Sequence, residues 1–483
     1  MQKNYKVGNF ELDNNQMQII NNNQNMLIIA GAGAGKTLTI LGKINYLIEN
    51  NLCSPQEILI ISFTNASVND IKEKIKYNIN VFTFHKLAME ILKLANIEYS
   101  ICDDKYLKYI VEESIKACTI KEQKYILNFL QLNVNFETFL KSSNYISFCN
   151  LIITFINLFK TNNFNYGNIQ NINYTNIERK ILIIIFKIYY QYCSEKRSVQ
   201  KLDFDDLIIY ATNVIKDIKC NYKYIIIDEF QDTSLIRLNL IKELYKYTHS
   251  KIIVVGDDWQ SIYRFSGCDL NIFLNFEKEF PKVKRIMLSN TYRNSIELIT
   301  IASEFIQKNP LQIKKQLNST KENKFPIIFT PYLSKVYTFK KLIDTVLKIT
   351  NDIMILSRNN NDIFEYIDKD FNFENNQLFY KNHILKYFTV HRSKGLEASH
   401  VIVLNCNNEY LGFPNKIENS PILNKLIPNN EIKFAEEIRL FYVAITRCKN
   451  TTYLMYHKNN PSTFIKELKK VIKRKSLKIK YFK

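Results

Sequence analysis

Short apolar runs rich in β-branched residues punctuate the chain, each closed off by polar residues. MLIIA at 26–30, ILIIS at 58–62, YIIID at 224–228 and KIIVVGD at 251–257 show no polar alternation in their interiors. That pattern belongs to strands buried on both faces of a parallel sheet. A second series follows: IMLS at 286–289, IMILS at 353–357, YFTV at 387–390, HVIVLN at 400–405 and TTYLMY at 451–456, interleaved with helical stretches such as 295–307 and 435–445. Strand runs alternating with helices predict an α/β fold of two sheets in tandem. Between residues 94 and 201 the period changes. ILKLANIEY and YLKYIVEESIKAC repeat at helical spacing without a strand series, which predicts a helical insertion into the first sheet domain. The expected limits are 1–93 with 202–278 for the first sheet domain, 94–201 for the insertion and 279–483 for the second. No internal repeat or Pro/Gly-rich linker interrupts this plan.

Composition narrows the class. A chain of 483 residues is long for one core and suits several domains. Lys and Arg number 66 against 46 Asp and Glu, a formal charge of +20, which favours a polyanionic partner, nucleic acid before an anionic membrane; the bland alternative is a solvated basic surface. The nine cysteines are scattered without a C-x-x-C pair, and the six histidines do not cluster with them. No structural zinc or disulfide framework is expected, and a reducing compartment fits. The N-terminal MQKNYKVGNFELDNNQ lacks the apolar core of a signal peptide, and the most apolar stretch, ILIIIFKIYY at 181–190, is short and carries Lys187. A soluble cytoplasmic protein without membrane partners is the expectation. The heavy use of Asn, Lys, Ile, Tyr and Phe along the whole chain reads as coding bias and carries no function.

The first chemical signal is AGAGAGKT at 30–37. It fits the phosphate-binding pattern G-x-x-x-x-G-K-[ST] except that Ala30 holds the first glycine's place. The loop follows a strand and opens the helix KTLTILGKINYLIE, so successive backbone N–H groups and the helix N-terminus face the phosphates while Lys36 reaches the outer ones. Gly31, Gly33 and Gly35 allow close approach, and Ala30, at a strand end, tolerates its methyl at negative φ. The nucleotide cradle is thus Ala30, Gly31, Ala32, Gly33, Ala34, Gly35, Lys36, Thr37 and Leu38. A partner carboxylate appears in YIIIDEFQDT: Asp228 can hold Mg²⁺ together with the Thr37 hydroxyl, and Glu229 can orient and deprotonate an attacking water. ATP with Mg²⁺ is the ligand this predicts.

DEFQDT, followed in order by VVGDDWQSIYRFSG, LSNTYRN, FTVHRSKGLE and EEIRLFYVAITRCK, resembles the UvrD/Rep-like branch of superfamily 1 helicases. The likeness runs from LDNNQ near the start to PSTFIKEL near the end. Family usage commonly has alanine where Ala30 stands. The Trp of GDDWQ, the segment EYLGFPN and the PSTFIKEL tail are most similar to the family's helicase IV-like members. The resemblance implies two RecA-like domains, ATP hydrolysis and movement 3′ to 5′ on single-stranded DNA up to duplex junctions. It implies that Gln16 reads the adenine edge, that Tyr292 stacks on the base, and that Gln260 senses the γ-phosphate. Arg293 and Arg447 become arginine fingers, and Glu397 faces the ribose with Gly395 allowing its approach.

A motor needs a track. Candidates for gripping a strand are Phe63, Thr64 and Asn65 in ISFTNAS, Phe84 and His85 in FTFHKLA, Trp259, Tyr263, Arg264 and Phe265 after the second GD, and His391 in TVHRSKG. Aromatic faces stack on bases of any sequence and basic groups follow the backbone; core packing is the competing role for each ring. Trp259 and Phe265 depart from the family's usual acid and tryptophan. Thr291, Arg237 and Ile438 also replace usual family residues, none of them catalytic. Only a short stretch separates ILSRNNND from YFTVHRSKG, where larger members insert an accessory domain, so that domain is expected to be reduced or absent. The acids of LDFDDLI at 202–208 are expected to cap and orient the return from the insertion, and the basic tail VIKRKSLKIKYFK to be solvated. Three activities remain: a helicase, a translocase that strips proteins from single strands with little unwinding, and an ATP-gated scaffold. No segment identifies a protein partner.

Overall fold

The computed structural model describes residues 5–427 and 432–482; residues 1–4, 428–431 and 483, which the expected domain limits include, lie outside them. The first sheet has six parallel strands, β1 (Asn25–Ala30), β2 (Ile58–Ser62), β3 (Asn80–Thr83), β4 (Tyr224–Ile227), β5 (Lys251–Gly256) and β6 (Val283–Leu288), in the spatial order β6-β1-β5-β4-β2-β3. The second sheet contains β7 (Ile327–Tyr332), β8 (Ile353–Ser357), β9 (Phe371–Glu374), β10 (Gln377–Tyr380), β11 (His383–Thr389), β12 (Ala398–Val403), β13 (Cys448–His457) and β14 (Lys480–Tyr481), in the order β9-β10-β11-β8-β12-β13-β7-β14. In this sheet β10 runs antiparallel to both its neighbours, β9 and β11, and the other pairings are parallel. The Ile-rich runs are buried because helices cover both faces of each sheet. Among the described residues no helix is long and apolar enough to cross a membrane.

One strand lies elsewhere than the sequence suggests. The run at 286–289 was grouped with the second sheet, but β6 pairs with β1 in the first, with Ile286 beside Ile28. An apolar run of this kind fits either sheet, and the chain leaves the first unit only after completing that edge. Five further strands had no clear signal: β3, β9 and β10 lie in stretches not read as strands, β7 contains a proline, and β14 forms in the basic tail, where Lys480 and Tyr481 pair with Ile328 and Phe329. The tail is therefore partly ordered, and its first four residues end the helix Thr463–Arg474. The short stretch before β11 is filled by the β9–β10 hairpin and a 3-10 turn, in keeping with a reduced accessory insertion.

The insertion is helical, built chiefly from Asp104–Lys116, Ile120–Phe129, Ser143–Thr161 and Asn176–Ser198. Its ends are stapled where Ser100 and Ile101 pair with Lys201 and Leu202. Below this staple, Lys160 and Lys196 enter the acids of the LDFDDLI segment: Lys160 contacts Asp203 at 2.5 Å and Asp206 at 2.7 Å, and Lys196 contacts the same two residues. Asp203 also caps the helix Phe204–Val214 in a reciprocal box with Asp206. These acids orient the return from the insertion, as expected. The insertion's apolar cluster is completed from the second unit by Ile422, Leu423 and Leu426, and Lys425 pairs with Glu178 at 2.6 Å.

A second seam joins the two sheets. Lys315, fully buried, contacts Asp257 at 2.5 Å and Asp258 at 2.7 Å and donates to the Ala30 carbonyl at 2.7 Å. Beside it Trp259 leaves the first unit to join the second unit's core, edge-on to Tyr442 at 5.4 Å, with its indole N–H donating to the Ile313 carbonyl. Replacing Lys315 by Met would leave two buried carboxylates without their cation. The expected loss is about 3–5 kcal/mol of stability, measured as a lower urea midpoint; an unchanged midpoint would mean the pair contributes nothing net.

Candidate active site

All strands of the first sheet point the same way, so the loops after β1, β4 and β5 meet at one edge, where open α/β sheets bind ligands. Gly33 and Gly35 adopt φ of +71° and +77°, conformations only glycine takes without strain. A methyl on Gly33 would lie 2.5 Å from Cβ of Arg293, and one on Gly35 would lie 2.9 Å from Nε2 of Gln16. The glycines thus admit the facing residues as well as any phosphate. Ala30, Ala32 and Ala34 are buried beneath the loop. Helix Lys36–Glu49 starts without a side-chain cap, so its first N–H groups stand available to an anion, with Thr37 and Leu38 half-buried in the first turn.

At the end of β4, Glu229 has φ of +51°, a left-handed conformation that non-glycine residues hold only when their surroundings impose it. Lys36 and Glu229 form an ion pair. Gln231, fully buried, donates to Glu229 at 2.5 Å and accepts from the Asp257 N–H at 2.9 Å, fixing the carboxylate. Burial would raise the Glu229 pKa, but Lys36 and then Lys394 outweigh it and hold this carboxyl well below the usual range. Burial followed by the Glu229 charge pushes Asp228 up to about 6. Two adjacent acids therefore differ: one is held ionised by cations, and the other has no ion-pair partner among the described residues and suits a metal ion. The pocket chemistry fits a nucleotide with Mg²⁺.

The base end is built from the short helix Asn14–Ile20. Gln16 is fully buried, accepts from the Asp13 N–H at 2.9 Å and donates to Thr39 at 3.1 Å. One amide hydrogen and one lone pair remain for a base edge. Tyr292, 47% exposed, donates to Asp13 at 2.7 Å, and its ring reaches within 3.6 Å of the Gly35 position. Thr291 donates to the Ala32 carbonyl at 2.7 Å and the Tyr292 N–H donates to the Gly33 carbonyl at 2.9 Å, so the phosphate loop is sewn directly to the segment leading into the second unit.

Across the cleft, Arg447 is buried and donates to Gln260 at 2.8 Å, while Gln260 donates to Asp257 at 2.5 Å. Burial, with Arg293 nearby, pulls the Arg447 guanidinium down to about 9, leaving it charged at neutral pH. Arg293 donates to Glu397 at 2.8 Å, and Lys449 contacts the same carboxylate at 2.9 Å. Gly395, at φ +85°, and Glu397 are exposed nearby. Lys394, not singled out from the sequence although it stands within HRSKGLE, pairs with Asp232, donates to the Gln260 carbonyl at 2.7 Å and approaches Glu229 at 3.8 Å. Gln231 stands likewise inside the quoted DEFQDT. Lys315 had no signal, since nothing in LQIKKQLNST separates it from its lysine neighbour.

The loops after β2, β3, β5 and β11 form a second surface. Phe63 and Tyr263 stack at 5.5 Å and 17°, and the guanidinium of Arg237 lies 4.8 Å from the Phe63 ring centre. Phe265, 52% exposed, meets the His391 ring edge-on at 5.4 Å, and Tyr263 donates to the His391 carbonyl at 3.0 Å. Thr64 caps the helix Asn65–Lys74 at this rim, with both Thr64 and Asn65 exposed, and Arg264 is half-buried beside Tyr263. His85 packs on Phe204 at 5.2 Å. Two expected strand contacts are corrected. Trp259 lies wholly within the seam described above, and Phe84 is buried under the first sheet's helices. Neither ring presents a face to a ligand, because each is packed into an apolar cluster. The link from β11 to β12, residues 390–397, spans a parallel crossover that normally takes a dozen or more residues. It runs from His391 at the ringed surface, through Lys394, to Glu397 at the cleft.

A model of the UvrD/REP helicase N-terminal domain matches residues 12–281, and one of the UvrD-like helicase C-terminal domain matches residues 372–459. The chain is 26% identical to DNA helicase IV of Escherichia coli (strain K12), covering 93% of this chain and 69% of that protein. It is 29% identical to a probable DNA helicase II homolog of Mycoplasma capricolum over 71% of this chain, and 30% identical to ATP-dependent DNA helicase Rep of Buchnera aphidicola subsp. Schizaphis graminum over 68%. The chain spans 48% and 49% of those last two proteins, less than half of each.

Burial drives the pKa of His85 and of His391 down to about 4, with Arg237 and Arg358 respectively adding to the effect. Both imidazoles are then neutral around neutral pH. Affinity for a single strand is expected to stay flat from about pH 8 to about pH 5.5 apart from other groups. A rise in affinity as pH falls through about 6.5, removed by His391→Gln, would show a histidine titrating at its ordinary value.

Proposed function

We propose, starting from the fact that the chain belongs to the UvrD/REP helicase family, that it is an ATP-driven motor on single-stranded DNA, moving 3′ to 5′ and opening duplexes at junctions. The observation that carries this reading is the link 390–397, which ties the ringed surface at His391 to the cleft where Gln260 meets Arg447. The first RecA-like domain would comprise 1–93 and 202–278 with strand Val283–Leu288 added, 94–201 the insertion, and the remainder the second domain.

In this mechanism Lys36 leaves Glu229 for the outer phosphates, which frees Glu229 to take a proton from the attacking water. Asp228 and Thr37 would hold Mg²⁺, which neutralises phosphate charge when bound. Gln16 and Tyr292 hold the base, and Glu397 with Gly395 lies on the ribose side. Arg447 and Arg293 then serve as fixed cations at the charge developing on the transferred group. Because these arginines belong to the second unit and the cradle to the first, a bound triphosphate draws the units together and its hydrolysis releases them. Phe63, Tyr263, Phe265 and His391 would grip the strand, while Arg264, Thr64, Asn65 and His85 line its rim. A translocase with little unwinding of its own is the second reading, favoured by the short β9–β10 hairpin where an accessory domain would stand.

Measuring DNA-stimulated ATPase beside unwinding of 3′-tailed and 5′-tailed duplexes tests the proposal. Activity on the 5′-tailed duplex alone would reverse the polarity, and ATPase without DNA stimulation would remove the motor. Lys36→Ala is expected to lose nucleotide binding, whereas Glu229→Gln keeps binding and loses hydrolysis. Arg447→Ala is expected to slow turnover by about 10³-fold or more with a smaller effect on affinity; normal turnover would remove its assignment as a finger.

A further inference from the structure

The helix Asn14–Ile20 begins at a carboxylate whose two oxygens serve different neighbours. Oδ1 of Asp13 accepts from the Gln16 N–H at 2.9 Å, and the Gln16 amide oxygen takes the Asp13 N–H in return. Oδ2 accepts from the Tyr292 hydroxyl at 2.7 Å and from the Asn290 amide at 2.9 Å. One oxygen therefore faces the residue that would read the edge of a base, and the other faces the ring that would stack on it. Gln16 belongs to the first helix, whereas Asn290 and Tyr292 follow β6 on the way to the second unit.

The Gln16 amide is also fixed from its other end. The Thr39 hydroxyl donates to the Gly35 carbonyl at 3.0 Å, so toward Gln16 its oxygen acts as the acceptor, taking a hydrogen from Nε2 at 3.1 Å. Turning the amide over would break both this bond and the one to the Asp13 N–H. The free lone pair and the free hydrogen are thus held in a single sense, an acceptor beside a donor. Along its major-groove edge adenine offers the N6 amino group beside N7, which matches; guanine offers O6 and N7, two acceptors. Guanine would set O6 against the Gln16 oxygen and leave buried groups unpaired. Tyr292 is anchored differently. Its backbone N–H is bonded to Gly33, but its side chain is 47% exposed and is tethered at the hydroxyl by Asp13. A tethered ring has less freedom to lose when a base stacks on it.

We propose that Asp13 is the positioning residue for base selection, its two oxygens setting Gln16 and Tyr292 in register with a single adenine. This rests on the roles given to Gln16 and Tyr292 above. The seat of the helix does not depend on Oδ2: Asn15 donates to Ser289 at 2.7 Å, and Ile19 and Ile20 are buried.

Asp13→Ser separates the two oxygens, because serine caps a helix about as well as aspartate but brings no second oxygen to Tyr292 and Asn290. Titration calorimetry on the full chain, without any strand, compares ADP, GDP and pyrophosphate, the last probing the phosphate cradle without a base. The parent is expected to bind ADP about tenfold or more tighter than GDP. In Asp13→Ser the ADP affinity is expected to fall about tenfold, near the lower end of what one stacked base contributes. GDP should change less, so that the preference narrows, and pyrophosphate should stay within about twofold. In turnover, KM for ATP should rise by the same factor with kcat within about twofold, as for a contact equal in ground and transition states. Asp13→Asn, whose amide can still meet the Tyr292 hydroxyl, is expected to fall between parent and Asp13→Ser. A parent that binds ADP and GDP equally would overturn the selection. Unaltered ADP binding in Asp13→Ser, ADP and GDP weakening alike, pyrophosphate weakening in step, or kcat falling at constant KM would each remove Asp13 from it. ATPase that single strands do not stimulate would remove the motor and leave the calorimetric selectivity, and Asp13's part in it, standing.

Discussion

The insertion of one lysine between two sheets fixes the rest of the molecule. Lys315 satisfies Asp257 and Asp258 after β5 and the carbonyl at the end of β1, so the edge that carries the phosphate loop also receives the segment leading to the second unit. With Trp259 seated in the second unit's core beside it, the two units meet along a defined line. Charges buried on both sides of a contact must stay paired, so this line resists sliding and leaves rotation about it as the cheaper motion. The proposed opening and closing of the cleft over the cradle would be a rotation about this line.

Around the cradle almost every charge is already answered by protein. Lys36 pairs with Glu229, Lys394 with Asp232, and Arg293 with Glu397. A triphosphate entering such a site exchanges partners and need not create bare charges. On the proposed reading such an exchange would keep the buried groups compensated, as a low-dielectric site requires. The same network explains how residues far from the phosphates take part: Lys394 touches both the carboxylate cluster and the ring of Tyr263, at 5.2 Å from its centre.

Much of this could be read from sequence because the chemistry is local. The glycine loop, DEFQDT and the strand runs that precede them place their groups at strand ends by simple continuity of the backbone. What escaped had a non-local cause. The strand at 283–288 looks the same whichever sheet it joins. Trp259 and Phe84 read equally well as strand contacts or as core, and only their packing in the second unit's core and in the first sheet's cluster decides for core. Lys315 gains its meaning from Asp257 and Asp258, which lie far behind it in the chain, and Arg237 from the rings of Phe63 and Phe84. The β7 strand was hidden by its proline, tolerated because β14 covers it only over Ile328 and Phe329.

The core of the helical insertion is closed by residues that come much later in the chain. Ile422, Leu423 and Leu426 fill it, and Lys425 reaches Glu178. During synthesis the insertion therefore leaves the ribosome with an unfilled apolar face rich in Ile and Phe, and it waits for most of the second unit before that face is covered. Domains commonly fold in order of emergence; here the last step of one early domain belongs to a late segment. Completion of the insertion thus waits on a segment of the second unit, and a chain cut before residue 421 would leave that apolar face uncovered.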